Sequence, residues 1–215
     1  MPRGFPPNTA IVGVTEHASA AECVTITTGG ELLDRRRLPL IDEGLPEYPY
    51  HHEGAWAMGR YLKTPGVRRL TMAEVVALVR RVEASSARKA SEGLAALAAS
   101  LPVPIVAIAI RACPDLPPAI EARIADNRAQ TMADSVMYRQ ALATAAAGRG
   151  WQVHWYNRET VAADAAAALD GRSVEWVLQR LGQAAGPPWQ ARQKLAATAA
   201  LAAAATWERG ARENP

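Results

Sequence analysis

Residues 10–41 read AIVGVTEHASAAECVTITTGGELLDRRRLPLI, and their pattern decides the fold class. Ala10 to Glu16 is a run of β-branched and small apolar residues, the composition of a buried strand. Ala21 to Thr27 alternates, with Cys23 flanked by polar positions and Val24 and Ile26 on one face. Thr28-Gly29-Gly30 then marks a hairpin turn, because glycine accepts the positive φ such turns need. Glu31 to Ile41 follows as a third strand, and Pro39 near its end suits a sheet edge. Three consecutive antiparallel strands therefore open the chain.

Outward from this meander, residues 42–70 dissolve into Gly, Pro and aromatic residues and read as a long loop insertion. Thr71 and Glu74 form a capping-box pattern that starts a helix. Its apolar stripe (Val75, Leu78, Val79, Val82) predicts a helix to about Ser100, with a weak point at Gly93. Pro104 to Ile110 is a continuous apolar run and reads as a fourth strand buried on both faces. A helical stretch from Pro118 to Ala147 leads through Gly148 and Gly150, which suit a left-handed cap, to a fifth strand, Trp151 to Tyr156. Helices over Ser173 to Leu181 and Pro188 to Trp207 close the chain. Three antiparallel strands followed by two strands reached through helical crossovers predict one α/β domain. Its sheet is mixed and five-stranded, with helices on both faces.

The 215 residues carry 24 Lys plus Arg against 21 Asp plus Glu, a net charge of only +3. Lys occurs at 63, 89 and 194 alone and Ala fills about a fifth of the chain. A GC-rich coding sequence produces that pairing, so arginine abundance is not in itself a nucleic-acid signal. Cys23 and Cys113 show no CxxC spacing, which argues against a disulfide framework or a structural zinc site and suits a reducing, cytoplasmic location. Both read as small core residues. The first ten residues lack an apolar leader segment and the Ala-rich run from Leu195 to Trp207 is too weakly apolar to span a bilayer, so no membrane partner is expected. There is no GxGxxG after a strand, no Walker loop, no GxSxG and no HxE with PCxxC, which leaves dinucleotide, P-loop, serine-hydrolase and deaminase chemistry without a carrier.

The order of elements, over about 200 of the 215 residues, resembles the ribonuclease H-like fold and, within it, the RuvC-type Holliday-junction resolvases. IVGVTEH (11–17) looks like the family's first strand and VAIAIR (106–111) like its fourth. Residues 133–161, beginning Ala-Asp-Ser, and residues 171–204 follow the layout of its later helices and strand. The resemblance implies carboxylates that hold two Mg²⁺ or Mn²⁺ ions for phosphodiester cleavage. Here the first-strand acid position falls on Thr15, the fourth-strand position on Arg111, and the final helix offers Gln190, Arg192, Gln193 and Lys194. None carries an acid, so the resemblance implies the scaffold without its usual chemistry, and no metal or other cofactor. Glu16 and Asp115 are the substitute ligands that a divergent metal-dependent nuclease would use.

Thr15, Arg111 and Lys194 remain as a candidate cleft for an anion. In the insertion, Tyr50, Trp56, Arg60 and Tyr61 interleave with His51 and His52. Aromatic and basic residues together stack single-stranded bases or form the contact of a homodimer, and both alternatives stay open. Arg35, Arg36 and Arg37 alternate faces of one strand and read as a charged edge that blocks sheet-to-sheet aggregation. The expectation is a non-catalytic binding protein, homodimeric or bound to nucleic acid or to another protein.

Overall fold

The computed structural model describes residues 8–60, 68–167, 169 and 171–213; the side chains of Glu53, Arg60 and residues 205–213 lie outside that description. Its strands form one sheet in the order β3-β2-β1-β4-β5. β1 (Ala10–His17), β2 (Ala20–Thr27) and β3 (Leu32–Pro39) pair antiparallel. β4 (Ile105–Arg111) lies parallel to β1, and β5 (Gln152–Tyr156) parallel to β4. The expected mixed sheet, three antiparallel strands and then two parallel ones, is what the chain builds.

Both faces of the sheet are covered, which is why the strands read as continuous apolar runs. On one face Val12, Val14, Cys23 and Ile110 meet Val75, Val79 and Leu94 of α1 (Met72–Ser100) and Met137 and Leu142 of α3 (Asn127–Ala147). On the other face Ile11, Val24, Ala107 and Tyr156 meet α4 (Val161–Ala167), α5 (Val174–Ala185) and α6 (Ala191–Glu213). Cys23 thus points away from Val24 and Ile26, each burying its own face of β2. Burial pushes its thiol up to about 12. Cys113, by contrast, is only half-buried, on the loop after β4.

The second face depends on one missing side chain. A Cβ on Gly13 would lie 1.8 Å from the Ala196 carbonyl oxygen and 2.9 Å from the Ala200 nitrogen. Only glycine lets the backbone of α6 approach β1 this closely. The facing side of α6 is correspondingly small: Ala196, Ala197, Ala199, Ala200, Ala202 and Ala203 are all buried.

Local signals explain most element boundaries. Thr71 caps α1 with the reciprocal Glu74 bonds of a capping box, and the helix runs through Gly93, which sits against Leu38. The stretch expected as one helix from Pro118 to Ala147 is two, α2 (Ile120–Ala125) and α3, because Asp126 adopts an extended φ/ψ and accepts from the Arg128 and Ala129 nitrogens as an N-cap. Gly148 remains right-handed, and the positive φ falls on Gly150. α4 was not foreseen, and α6 starts at Ala191 rather than Pro188. On the edge strand β3, Arg35 donates to the carbonyls of Gly186 and Pro188, while Arg36 points to the other face and pairs with Asp34.

Residues 42–60 of the insertion pack against the domain and contain a π-helical segment His51–Arg60 broken at Gly59. Tyr50 is fully buried, its nitrogen donates to Asp134 Oδ1 at 2.9 Å and its hydroxyl to Glu83 at 2.8 Å. The Tyr138 hydroxyl holds the Glu47 carbonyl at 2.8 Å. At the start of the insertion, Asp42 bonds Ser85 and Arg88 on α1.

Two outcomes are expected. Gly13→Ala forces α6 off β1 and costs about 3 kcal/mol or more, read as a lower urea midpoint at unchanged slope. The bonds from Arg88 and then Ser85 hold the Asp42 carboxyl down at about 2 against an ordinary 3.8. Its tether is therefore complete above the ordinary value and is lost as the pH falls through about 2, which a carboxylate NMR titration follows.

Candidate functional site

Because β1, β4 and β5 run parallel, their carboxyl ends share one rim of the sheet, the place where open α/β sheets bind ligands. Thr15 and Glu16 end β1, Arg111 ends β4 and Tyr156 ends β5 opposite Arg111. The alternation of the strand sends Thr15 to the α6 face, with Ile11 and Gly13, and Glu16 to the α3 face, with Val12 and Val14.

Glu16 is committed there. Its Oε1 accepts from Arg139 Nε at 2.7 Å and Nη2 at 2.5 Å, and both side chains are only 6% exposed. Arg139 Nη1 donates to the Ala112 carbonyl at 3.0 Å, so the guanidinium joins β1, α3 and the chain leaving β4. Above Thr15, the Tyr156 hydroxyl donates to the Val14 carbonyl at 3.0 Å. Burial raises the Tyr156 phenol from its usual value, so it is a neutral donor.

Beside the ion pair opens a cavity of about 420 Å³. Arg111, Tyr156, Asn157 and Arg158 line it from the strand ends, Cys113 and Pro114 from the loop after β4. Thr131, Ser135 and Arg139 line it from α3, four residues apart and therefore stacked along one stripe of the helix. No acid is among the lining residues. Cys113 stays a thiol, since burial raises its pKa more strongly than the neighbouring Arg139 lowers it.

Of the residues anticipated from sequence, Thr15 and Arg111 both lie at this rim, and Arg111 lines the cavity whereas Thr15 does not. Lys194 opens onto a separate groove between α5 and α6, lined by Leu178, Pro187 and Trp189. Asp115 is exposed and absent from the cavity lining. Tyr50 is a core residue and offers no contact surface. Trp56 is 38% exposed and stacks on His52 with ring centroids 4.3 Å apart. Tyr61 and the side chain of Arg60 lie outside the described residues. Arg139 and Arg158 were not foreseen. Arg139 left one trace in the sequence, a charge on the apolar stripe that carries Met137 and Leu142.

A two-metal centre needs several oxygen ligands facing one point. The positions that the resemblance assigns to acids hold Thr15 and Arg111, and the one nearby carboxylate, Glu16, is bound to a guanidinium. Among the described residues no three His, Cys, Asp or Glu side chains converge. These residues do not fit a metal pair.

No protein-family model and no curated protein matches the sequence. Among solved structures, RuvC of Thermus thermophilus in complex with a Holliday junction substrate aligns at TM-score 0.50 and 13% identity, over 94% of this chain and 97% of that chain. A second Thermus thermophilus RuvC structure aligns at TM-score 0.46 and 14% identity, with the same coverage. The first likeness establishes the fold as ribonuclease H-like, in the arrangement found in RuvC.

Removing one partner of the buried pair leaves the other charge uncompensated. Arg139→Met and Glu16→Gln are each expected to destabilise by about 3–5 kcal/mol, and replacing both by apolar residues to recover most of that loss. A double-mutant cycle by urea unfolding measures the coupling.

Proposed function

We propose that this chain is a ribonuclease H-like nucleic-acid-binding protein that works without metal-dependent strand cleavage. The observation that carries the reading is the charge at the carboxyl rim of the sheet. Arg111, Arg139 and Arg158 face one cavity, and Glu16 is neutralised by Arg139. Where a resolvase would need anions to hold cations, this rim offers guanidinium groups, which bind phosphate oxygens through paired N–H donors. The likeness to a RuvC solved with a Holliday junction substrate supports nucleic acid as the polyanion. The insertion is fastened to α3 at Asp134, next to Ser135 of the cavity, and places Trp56 on the surface as a stacking platform.

Self-association through the insertion is a second reading, favoured by the exposure of Trp56 over the His51–His52 pair. A homodimer of this kind dissociates on Trp56→Ala in sedimentation equilibrium. No helix among the described residues is long and apolar enough to cross a membrane.

Fluorescence anisotropy with single-stranded and four-way branched DNA tests the main reading. Binding is expected to be indifferent to EDTA and to weaken with salt with a log–log slope of about −2 to −3, as for two to three neutralised phosphates. No product is expected with Mg²⁺ or Mn²⁺. Cleavage that requires Mn²⁺ and is abolished by EDTA would overturn the proposal in favour of a nuclease.

A further inference from the structure

We infer that the rim cavity is a phosphate-monoester pocket of mononucleotide size, with Arg111 and Arg158 as its phosphate ligands and Arg139 held beside them by Glu16. This inference rests on the nucleic-acid reading and names the chemical group that its site takes.

Charge fixes the class of ligand. Three arginines line the cavity and no acidic residue does. Glu16 offsets Arg139 from behind, whereas neither Arg111 nor Arg158 forms an ion pair among the described residues. Two positive charges are left without a counter-charge, and a phosphate monoester brings about two negative ones. A diester brings one. The arginines also approach from three separate elements: Arg111 from the end of β4, Arg158 from the turn after β5 and Arg139 from α3. They surround the phosphate instead of lining one side of a passing backbone.

Neutral groups complete the set. The Asn157 Oδ1 accepts from the Glu159 nitrogen, which leaves the amide N–H₂ as the group to donate into the cavity. Ser135 adds a hydroxyl from α3. The volume of about 420 Å³ exceeds what a lone phosphate fills and falls in the range of small-ligand sites, so the rest of a nucleotide has room. Pro114 and Met132 give that part an apolar wall.

The chemistry is shared by a free nucleoside monophosphate and by the terminal phosphate of a strand, and the experiment separates them. Inorganic phosphate, adenosine monophosphate, and a ten-nucleotide strand with or without a 5′-phosphate are titrated calorimetrically into the full-length protein. Occupancy of the cavity is read independently from the rate at which iodoacetamide alkylates Cys113, since that thiol lines the pocket and Cys23 is buried. Each of Arg111→Gln and Arg158→Gln is expected to weaken inorganic phosphate and the monophosphate by about tenfold or more, and to abolish their protection of Cys113. Arg149→Gln, where the guanidinium lies over Trp151 away from the rim, is expected to change neither. Circular dichroism confirms that the variants fold.

A clear preference for the 5′-phosphorylated strand over adenosine monophosphate identifies a strand end as the source, and the reverse order identifies a free nucleotide. If the strands bind equally well with and without the terminal phosphate and in both variants, the pocket is overturned while the nucleic-acid reading stands. If phosphate and the monophosphate bind and protect Cys113 but neither strand binds, the pocket stands and the nucleic-acid reading fails. Absence of any phosphate binding, or binding without protection of Cys113, overturns the inference.

Discussion

The contact on which the rest of the molecule depends is the one between the backbones of β1 and α6 at Gly13. Because no side chain intervenes, an alanine-faced helix lies nearly against the central strand, with Ala196 and Ala200 directly over the glycine. That closeness makes the layer thin where α6 crosses β1, and the alanines of α6 keep that part of the second face dry while Val161, Val177 and Leu181 of α4 and α5 cover the rest. It also fixes the register of β1 relative to its two covers. Thr15, two residues beyond Gly13, must face α6, and Glu16 must face α3. The chemistry at the rim is set by that assignment of faces.

Much of this was legible in the sequence, for identifiable reasons. The meander declared itself through β-branched runs and a Gly-Gly turn, and α1 through a capping box whose reciprocal bonds both form. The split between α2 and α3 went unread because Asp126 sits inside a stretch of good helix formers, and only its extended backbone reveals it as a cap. α4, seven residues long and mostly alanine, has almost no apolar periodicity to detect. Of the site, Thr15 and Arg111 were singled out through the family resemblance, which puts acids at those positions of the first and fourth strands, and Arg111 lines the cavity. The Glu16–Arg139 pair spans 123 residues and depends on α3 crossing β1, which no local pattern encodes. Lys194 shows the converse failure: its position on the final helix was right, but the helix turns it to the α5 groove.

The rim lies at the carboxyl ends of β1, β4 and β5, and arginines instead of acids line its cavity. In a metal site, protein anions hold cations, which in turn hold phosphate oxygens. Under the reading proposed above, guanidinium groups contact phosphate oxygens without that intermediary. The buried ion pair contributes by geometry more than by energy, since a well-packed apolar pair at the same place serves stability about equally. Its distinctive effect is to fix the position of the Arg139 guanidinium, with the Ala112 carbonyl as a further acceptor.

That pair also constrains what the sequence can become. A metal centre at this rim would need Glu16 released and Arg139 removed, together with acids at Thr15 and Arg111. Taken singly, releasing Glu16 or removing Arg139 strands a charge in a place that is 6% exposed. Adding a carboxylate at residue 15 alone supplies one ligand where a metal pair needs several. Each of these single steps therefore gives a less stable chain or an incomplete metal site. The two interlocked charges act as a ratchet on sequence drift, retaining Glu16 and Arg139 together for as long as selection demands that the chain stay folded.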